Sequence, residues 1–392
     1  MCIKIKVISV RIIVLFSFLL SHQNATADIF FASKTIGPST NIYALSNKGE
    51  LKKITDDSAW RDFDADIANN GDIAFVSNRK SEKKIDLKKS KENLNIFELS
   101  NTNGEIRQIT FGEQLEYSPV YSPDGKWLAY IQKQGGKRIL ILANRKNGEL
   151  KEVAYGDEIT SVSWSSKSDE FAYVQYQKNI SSILLYNIKN KQNRKLLATS
   201  SGAKSLDDAN TASLSSSYAD NVQKKYSPYN RRIASAQFSP DNSKLAYIVA
   251  RTDKQVRQLH VLDIPDSKDS VVTDESIQVQ FPVHWSKDGT QLLYSGLSNY
   301  NYYFDEKAYK KVYQGAMHVY LSEVGGKTRQ ITQGDFLHNR PVFSPDETRI
   351  AFLYADNLGK RELALHTIAR DGSDRRELYG RVAGNSFLLW RE

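Results

Sequence analysis

The side chains in this chain that could do chemistry are few and scattered. Beyond the first residues the histidines are His260, His284, His318, His338 and His366. None stands two or four positions from another, so no local metal-binding pair exists. Half-buried strand positions account for them, and His284 next to Trp285 fits that reading. Asp62, Asp64 and Asp66 alternate, and at a period of two they would face one side of a strand. An EF-hand loop is excluded, because Ile67 stands where glycine is required and no closing Glu follows. The three carboxylates fit a solvated polar wall, with a hydrated channel cation as the alternative. No other cofactor is expected. The chain has no G-x-S-x-G nucleophile elbow, so no catalytic residue is nominated.

Residues suited to contact are more numerous than residues suited to catalysis. Tyr300, Tyr302, Tyr303, Phe304, Tyr309 and Tyr313 crowd one stretch, interleaved with Asp305, Glu306, Lys307, Lys310 and Lys311. Tyrosine brings contact area and a hydroxyl at low entropic cost, which favours it at protein and glycan interfaces. The intervening charges argue for an exposed excursion; rings folded back on their own sheet are the alternative.

The elements that must position these groups are copies of one unit. Pro119-Val120-Tyr121-Ser122-Pro123-Asp124-Gly125 leads to Leu128-Ala129-Tyr130. Ala236 to Tyr247 and Pro341 to Phe352 repeat it, with looser copies from Val162, Val283 and Ile67. The aromatic ends a first strand. Proline presets φ, Asp bonds its own backbone and Gly accepts a positive φ, so Ser-Pro-Asp-Gly is a turn. Leu-Ala-Tyr is a second strand whose alanine lets sheets approach closely. Asn95 to Leu99 and His318 to Leu321 read as third strands, and Arg107-Gln108-Ile109-Thr110 and Arg329-Gln330-Ile331-Thr332 as fourth strands. Four short antiparallel strands repeating at roughly 40–60 residues are the signature of propeller blades.

The chain ends complete the pattern. Asp28 to Ser33, Asn41 to Leu45 and Leu51 to Thr55 supply second, third and fourth strands without a first, whereas Ser386 to Trp390 reads as a first strand alone. Their union predicts an all-β, seven-bladed propeller, closed by pairing of the C-terminal strand with the N-terminal blade so that no edge stays free. Two insertions, 199–232 and 300–313, are expected as loops. Loops from a fourth strand to the next first strand should converge at one mouth of the channel. They carry Trp60 and Arg61, Glu116 and Tyr117, Arg231 and Arg232, and His338, Asn339 and Arg340. With Tyr300, Tyr302 and Tyr303 they are the predicted binding residues, since Arg and aromatic side chains dominate interface energetics.

The Ser-Pro-Asp-Gly-x-x-(Leu/Ile)-Ala-(Tyr/Phe) unit, with Asn-Ile-(Phe/Tyr)-x-Leu and Arg-Gln-Ile-Thr, resembles the propeller repeat of TolB-like proteins. Related repeats occur in the propellers of tricorn-type and prolyl-oligopeptidase-type peptidases. The resemblance covers nearly all of residues 28–392 and implies the fold. It does not extend to the α/β domain or the six-blade count usual in TolB itself.

Lys4, Lys6 and Arg11 precede an apolar run, Ile12 to Leu20, and Ala25-Thr26-Ala27 follows. Residues 1–27 therefore read as a signal peptide, and no later stretch could span a bilayer as a helix. The single cysteine, Cys2, lies inside that signal, so the exported chain carries no disulfide. The net charge of +9 is spread through turns among acidic residues, which speaks against the clustered basic face of a nucleic-acid binder. The sequence points to a periplasmic or secreted, non-catalytic scaffold or sensor for an envelope protein or glycan. The alternative is a propeller enzyme, a metal-assisted polysaccharide lyase or a hydrolase.

Overall fold

The computed structural model describes residues 27–34, 39–56, 59–79, 93–200, 231–251, 256–307, 309–360 and 362–391. Residues 1–26 of the expected signal and 201–230 of the first expected insertion lie outside the described residues. Among the described residues the regular structure is all β, and no helix is long and apolar enough to cross a membrane.

The strands fall into groups of four, in chain order. β1 (Asp28–Lys34), β2 (Thr40–Ser46) and β3 (Leu51–Lys53) form an antiparallel meander. A second group holds β4 (Asp62–Ile67), β5 (Ile73–Ser77), β6 (Asn95–Leu99) and β7 (Ile106–Gln108). A third holds β8 (Leu115–Tyr121), β9 (Trp127–Gln134), β10 (Lys137–Asn144) and β11 (Leu150–Gly156). Then come β12 (Glu158–Trp164), β13 (Glu170–Gln177), β14 (Ile180–Asn187) and β15 (Gln192–Ser200). The fifth group is β16 (Arg231–Phe238), β17 (Lys244–Arg251), β18 (Val256–Asp263) and β19 (Lys268–Val271). β20 (Gln278–Trp285), β21 (Gln291–Asp305), β22 (Lys310–Glu323) and β23 (Thr328–Gln330) follow. The last full group is β24 (Leu337–Phe343), β25 (Arg349–Ala355), β26 (Glu362–Ala369) and β27 (Arg376–Ala383).

β28 (Leu388–Arg391) returns to the start of the chain. It pairs antiparallel with β1, Asp28 opposite Arg391 and Phe31 opposite Leu388, so the first group gains the strand it lacked. Single bridges, Met317 to Leu337 and Ser33 to Val382, link the last groups to one another and to β1.

Local chemistry explains why the unit repeats. In the first turn Ser122 Oγ accepts from Trp127 N at 3.0 Å and donates to Asp124 Oδ1 at 2.6 Å. Asp124 in turn accepts from Lys126 N, and Gly125 takes φ 68°. Ser239–Asp241, Ser286–Asp288 and Ser344–Asp346 repeat the arrangement. The Gln-Ile-Thr ending has its own role. Thr110 Oγ1 accepts from Ile96 N at 2.9 Å and Thr332 Oγ1 from Val319 N at 3.0 Å. The hydroxyl continues the ladder where the three-residue fourth strand stops, so the third strand keeps no orphan donor.

The core is not central; it lies between groups. Ala74 and Ile96 of the second group pack with Tyr121, Leu128 and Tyr130 of the third. Leu293 and Val319 pack with Ile350 and Phe352. Another cluster joins Leu363 and Val382 of the last group to Ile29, Phe31 and Leu388 of the first. The alanines at the heart of the second strands, Ala129, Ala172, Ala246 and Ala351, are buried and leave room for the neighbouring sheet's Tyr or Phe.

The second expected insertion is corrected. Residues 300–313 do not form a loop: β21 and β22 run on as one antiparallel ribbon, paired through Asp305 and Lys310. Alternating Tyr, Phe and Val over this stretch have high strand propensity, so the hairpin lengthens instead of opening.

Candidate functional site

The first strands of successive groups touch one another, β4 with β8, β12 with β16, β16 with β20, β20 with β24 and β24 with β28. Each of β4, β8, β12, β16, β20 and β24 carries an irregularity at the same level. The register breaks at Asp64, at Ser118-Pro119, at Ser161-Val162, at Ala234, at Phe281-Pro282 and at Arg340-Pro341. A bulge leaves its extra residue unpaired and re-aims the side chain. Asp64, Ser118, Ser161 and Arg340 accordingly take positive φ of 49°, 53°, 60° and 52°.

Two groups use the bulge to staple the next strand. Asp64 Oδ2 accepts from Ser118 N, and Asp66 Oδ2 from Tyr121 N, both at 2.8 Å. Ser161 Oγ accepts from Ala236 N at 2.9 Å, and Ser163 Oγ from Phe238 N at 3.0 Å. This corrects the reading of Asp62, Asp64 and Asp66 as one face. The bulge breaks the period of two, and Asp62 turns away into a buried pair with Arg79 and Ser77. Burial pushes the Asp64 carboxyl above its ordinary range, with the Ser118 hydrogen bonds and Arg340 pulling it back. Burial also raises Asp66, against Arg391 and the Tyr121 amide. Among the described residues no group of three or more His, Cys, Asp or Glu side chains is arranged to hold a metal ion.

The predicted mouth residues divide. Trp60 is half-buried in the connection before β4, and its carbonyl accepts from Thr40 N. Arg61 N donates to Asn78 Oδ1 at 2.8 Å. Glu116, Tyr117, Arg231, Arg232, His338, Asn339 and Arg340 lie on β8, β16 and β24, not in loops, because these strands begin well before their aromatic ends. Arg232 pairs with Glu158 and lies over the Tyr176 ring at 4.2 Å. Glu116 is buried, accepting from Gln132 Nε2 at 3.0 Å. His338 is wholly buried and bonded to the Met317 carbonyl at 3.0 Å. These last two cannot meet a partner at a mouth.

His338 belongs to a cluster the sequence did not announce. Its ring stacks on His318 at 5.8 Å and touches Tyr354, which in turn meets His366 at 4.6 Å. Arg375 donates to His366 Nδ1 and covers Tyr354. The histidines come from β22, β24 and β26 and Tyr354 from β25, and burial lowers the pKa of all three histidines.

The aromatic ribbon is the exposed element. The first strand β20 pairs with β21 only as far as Gln278 opposite Leu297, so Ser298 to Asp305 project roughly 25 Å past it at the usual rise per residue. Gly315 takes φ 94°, and a Cβ there would meet the Asn299 carbonyl oxygen at 2.6 Å, so only glycine suits the bend at the ribbon's base. Near the tip Phe304 and Tyr309 pack edge to face at 5.4 Å, and Tyr309 remains 85% exposed. Tyr303 and Phe304 are each 49% exposed. The backbones of Tyr300 and Tyr302 lie on the same strand.

No family model matches the chain, and no curated protein matches it in sequence. Solved structures do resemble it. TolB from Acinetobacter baumannii is 10% identical over 92% of this chain and 82% of its own, with a TM-score of 0.48. A prolyl endopeptidase is 12% identical over 81% of this chain and 42% of its own, at 0.53. An oligogalacturonate lyase in complex with manganese is 14% identical over 86% and 84%, at 0.56. Identities this low speak for fold alone. The successive four-stranded antiparallel sheets, and the likeness to the solved structures at 0.53 and 0.56, fit a β-propeller fold.

Proposed function

We propose that the chain is an exported, non-catalytic binding propeller of seven blades, closed into a ring by β28 on β1, and that it grips an envelope protein with the ribbon of β21 and β22. The observation that carries this is the exposed aromatic tip of Tyr303, Phe304 and Tyr309 on a glycine-based hairpin. A structural hairpin would place polar groups there. Exposed tyrosines and phenylalanine held on a paired strand supply preformed contact area, the usual source of interface energy. The first strands begin, and β21 ends, at the same end of the sheets. Arg61, Arg231 and Arg232 therefore lie toward the ribbon and can add a polar rim.

The catalytic alternative finds less support, since His284 and His338 stand on separate strands and His338 is spent on the Met317 carbonyl. The test is a photo-crosslinking residue placed in turn at Tyr303 and at Lys126, at opposite ends of the sheets, in cells carrying the native envelope. Adducts to a discrete protein from position 303 and none from 126 are expected. Equal labelling from both positions, or adducts only to glycan, would count against the reading.

A further inference from the structure

The bulge at Arg340 departs from the others. Asp64 and Ser161 occupy the equivalent register position, and each accepts a hydrogen bond from the next first strand. A guanidinium has only donors, so Arg340 cannot make that staple. Its side chain forms no hydrogen bond or ion pair with any described residue, and its Nε is buried without a partner. The backbone holds this long side chain at φ 52°, a conformation that L-residues adopt at a cost and that concentrates at functional positions. A half-buried cation without a partner is also unfavourable.

Asp64 and Arg340 feel each other's charge, although β4 and β24 do not pair and the group containing β28 stands between them. Both residues stand at the bulge of a first strand, one on each side of the group that contains β1 and β28. Below them, His284 occupies the position that Asp66 takes in β4, and its Nε2 is buried without a partner. Arg340 Nε and His284 Nε2 are thus buried nitrogens without a hydrogen-bond partner, and Asp64 keeps an Oδ1 that the Ser118 staple does not use.

We propose that Arg340 anchors a carboxylate-binding site beside the bulges of β4 and β24, taking an end group in which a carboxylate sits beside a hydrogen-bond donor for Asp64. The planar fork of arginine matches a carboxylate in two parallel bonds. Two sources present this chemistry: the C-terminus of a peptide, with its last amide N–H, and a uronate, with its ring hydroxyls.

Calorimetric titration of the purified protein with two probe pairs tests the site. One pair is N-acetyl-Gly-Gly-Ala and its C-terminal amide; the other is D-galacturonate and D-galactose. Binding of the carboxylate member but not the neutral member is expected in one pair, and that pair names the source. Arg340→Gln should weaken binding roughly tenfold or more, while serine at Tyr303, Phe304 and Tyr309 leaves it unchanged, since the ribbon is a separate contact. If Arg340→Gln melts early, Arg340→Lys decides, keeping the charge and losing the fork: a loss of about tenfold supports the site. Carboxylate probes that bind no better than neutral ones, or native affinity in the Arg340 variant that folds, overturn it.

Discussion

His284, His338 and His366 show how burial turns into pH dependence. Burial holds them down to about 4, 3 and 4, with Arg391 beside His284 and Arg375 beside His366 adding to the effect. An unfolded histidine titrates near ~6.5. Between that value and about 4 the unfolded chain binds protons that the native chain refuses. Stability from these groups is full above the unfolded value and falls as the pH drops. At pH 5.5 the loss is roughly 1–2 kcal/mol for each. The raised carboxyls of Asp64, Asp66 and Glu116 act the other way once they begin to protonate. The melting temperature should therefore fall from pH 7.5 to 5.5, and His338→Phe should make that slope shallower; an unaltered slope would show that His338 does not carry it. A second residue-level test concerns Glu98, buried between Arg145, Arg107 and Tyr121 at 2.6–2.8 Å. Arg145 also reaches Asp72 at 2.8 Å and so ties the third group to the second. Arg145→Ala removes one of the two guanidinium partners of Glu98 and the partner of Asp72, and should cost about 2–4 kcal/mol in denaturant unfolding; a loss below about 1 kcal/mol, the size of an exposed pair, would contradict the buried clamp.

At the scale of elements, the repeat was legible because its turn and cap chemistry is local. Ser-Pro-Asp-Gly and Gln-Ile-Thr each satisfy backbone groups within a few residues, so their function can be read from spacing alone. The orphan strands at the two ends were legible for the same reason, and Ser386 to Trp390 does meet β1. The start of a first strand was not, because no turn marks it; Glu116 and His338 therefore seemed loop residues while lying inside β8 and β24. The bulges were hidden too, since they change register without changing composition. Removing residues after Gly384 should lower stability by roughly 3–6 kcal/mol, the worth of burying Phe387 and Leu388 at about 1.5–3 kcal/mol each. Chemical denaturation measures this directly, and a truncated chain as stable as the full one would mean that β28 closes nothing.

For the molecule as a whole, apolar clusters pack between successive groups, including one from the last group to the first. The sequence located the aromatic stretch but not its form, because the alternation that reads as an excursion also builds a strand. Its exposure follows from the ribbon outrunning β20. Function at this scale rests on whether that tip meets a partner. The most direct measurement compares the native chain with the Tyr303→Ser, Phe304→Ser, Tyr309→Ser variant, isolating each from its own envelope after crosslinking and recording both melting curves. One protein partner should be recovered with the native chain and lost with the variant, while the melting temperature is unchanged, because the replaced rings are exposed. The same partner recovered equally with both chains would contradict it.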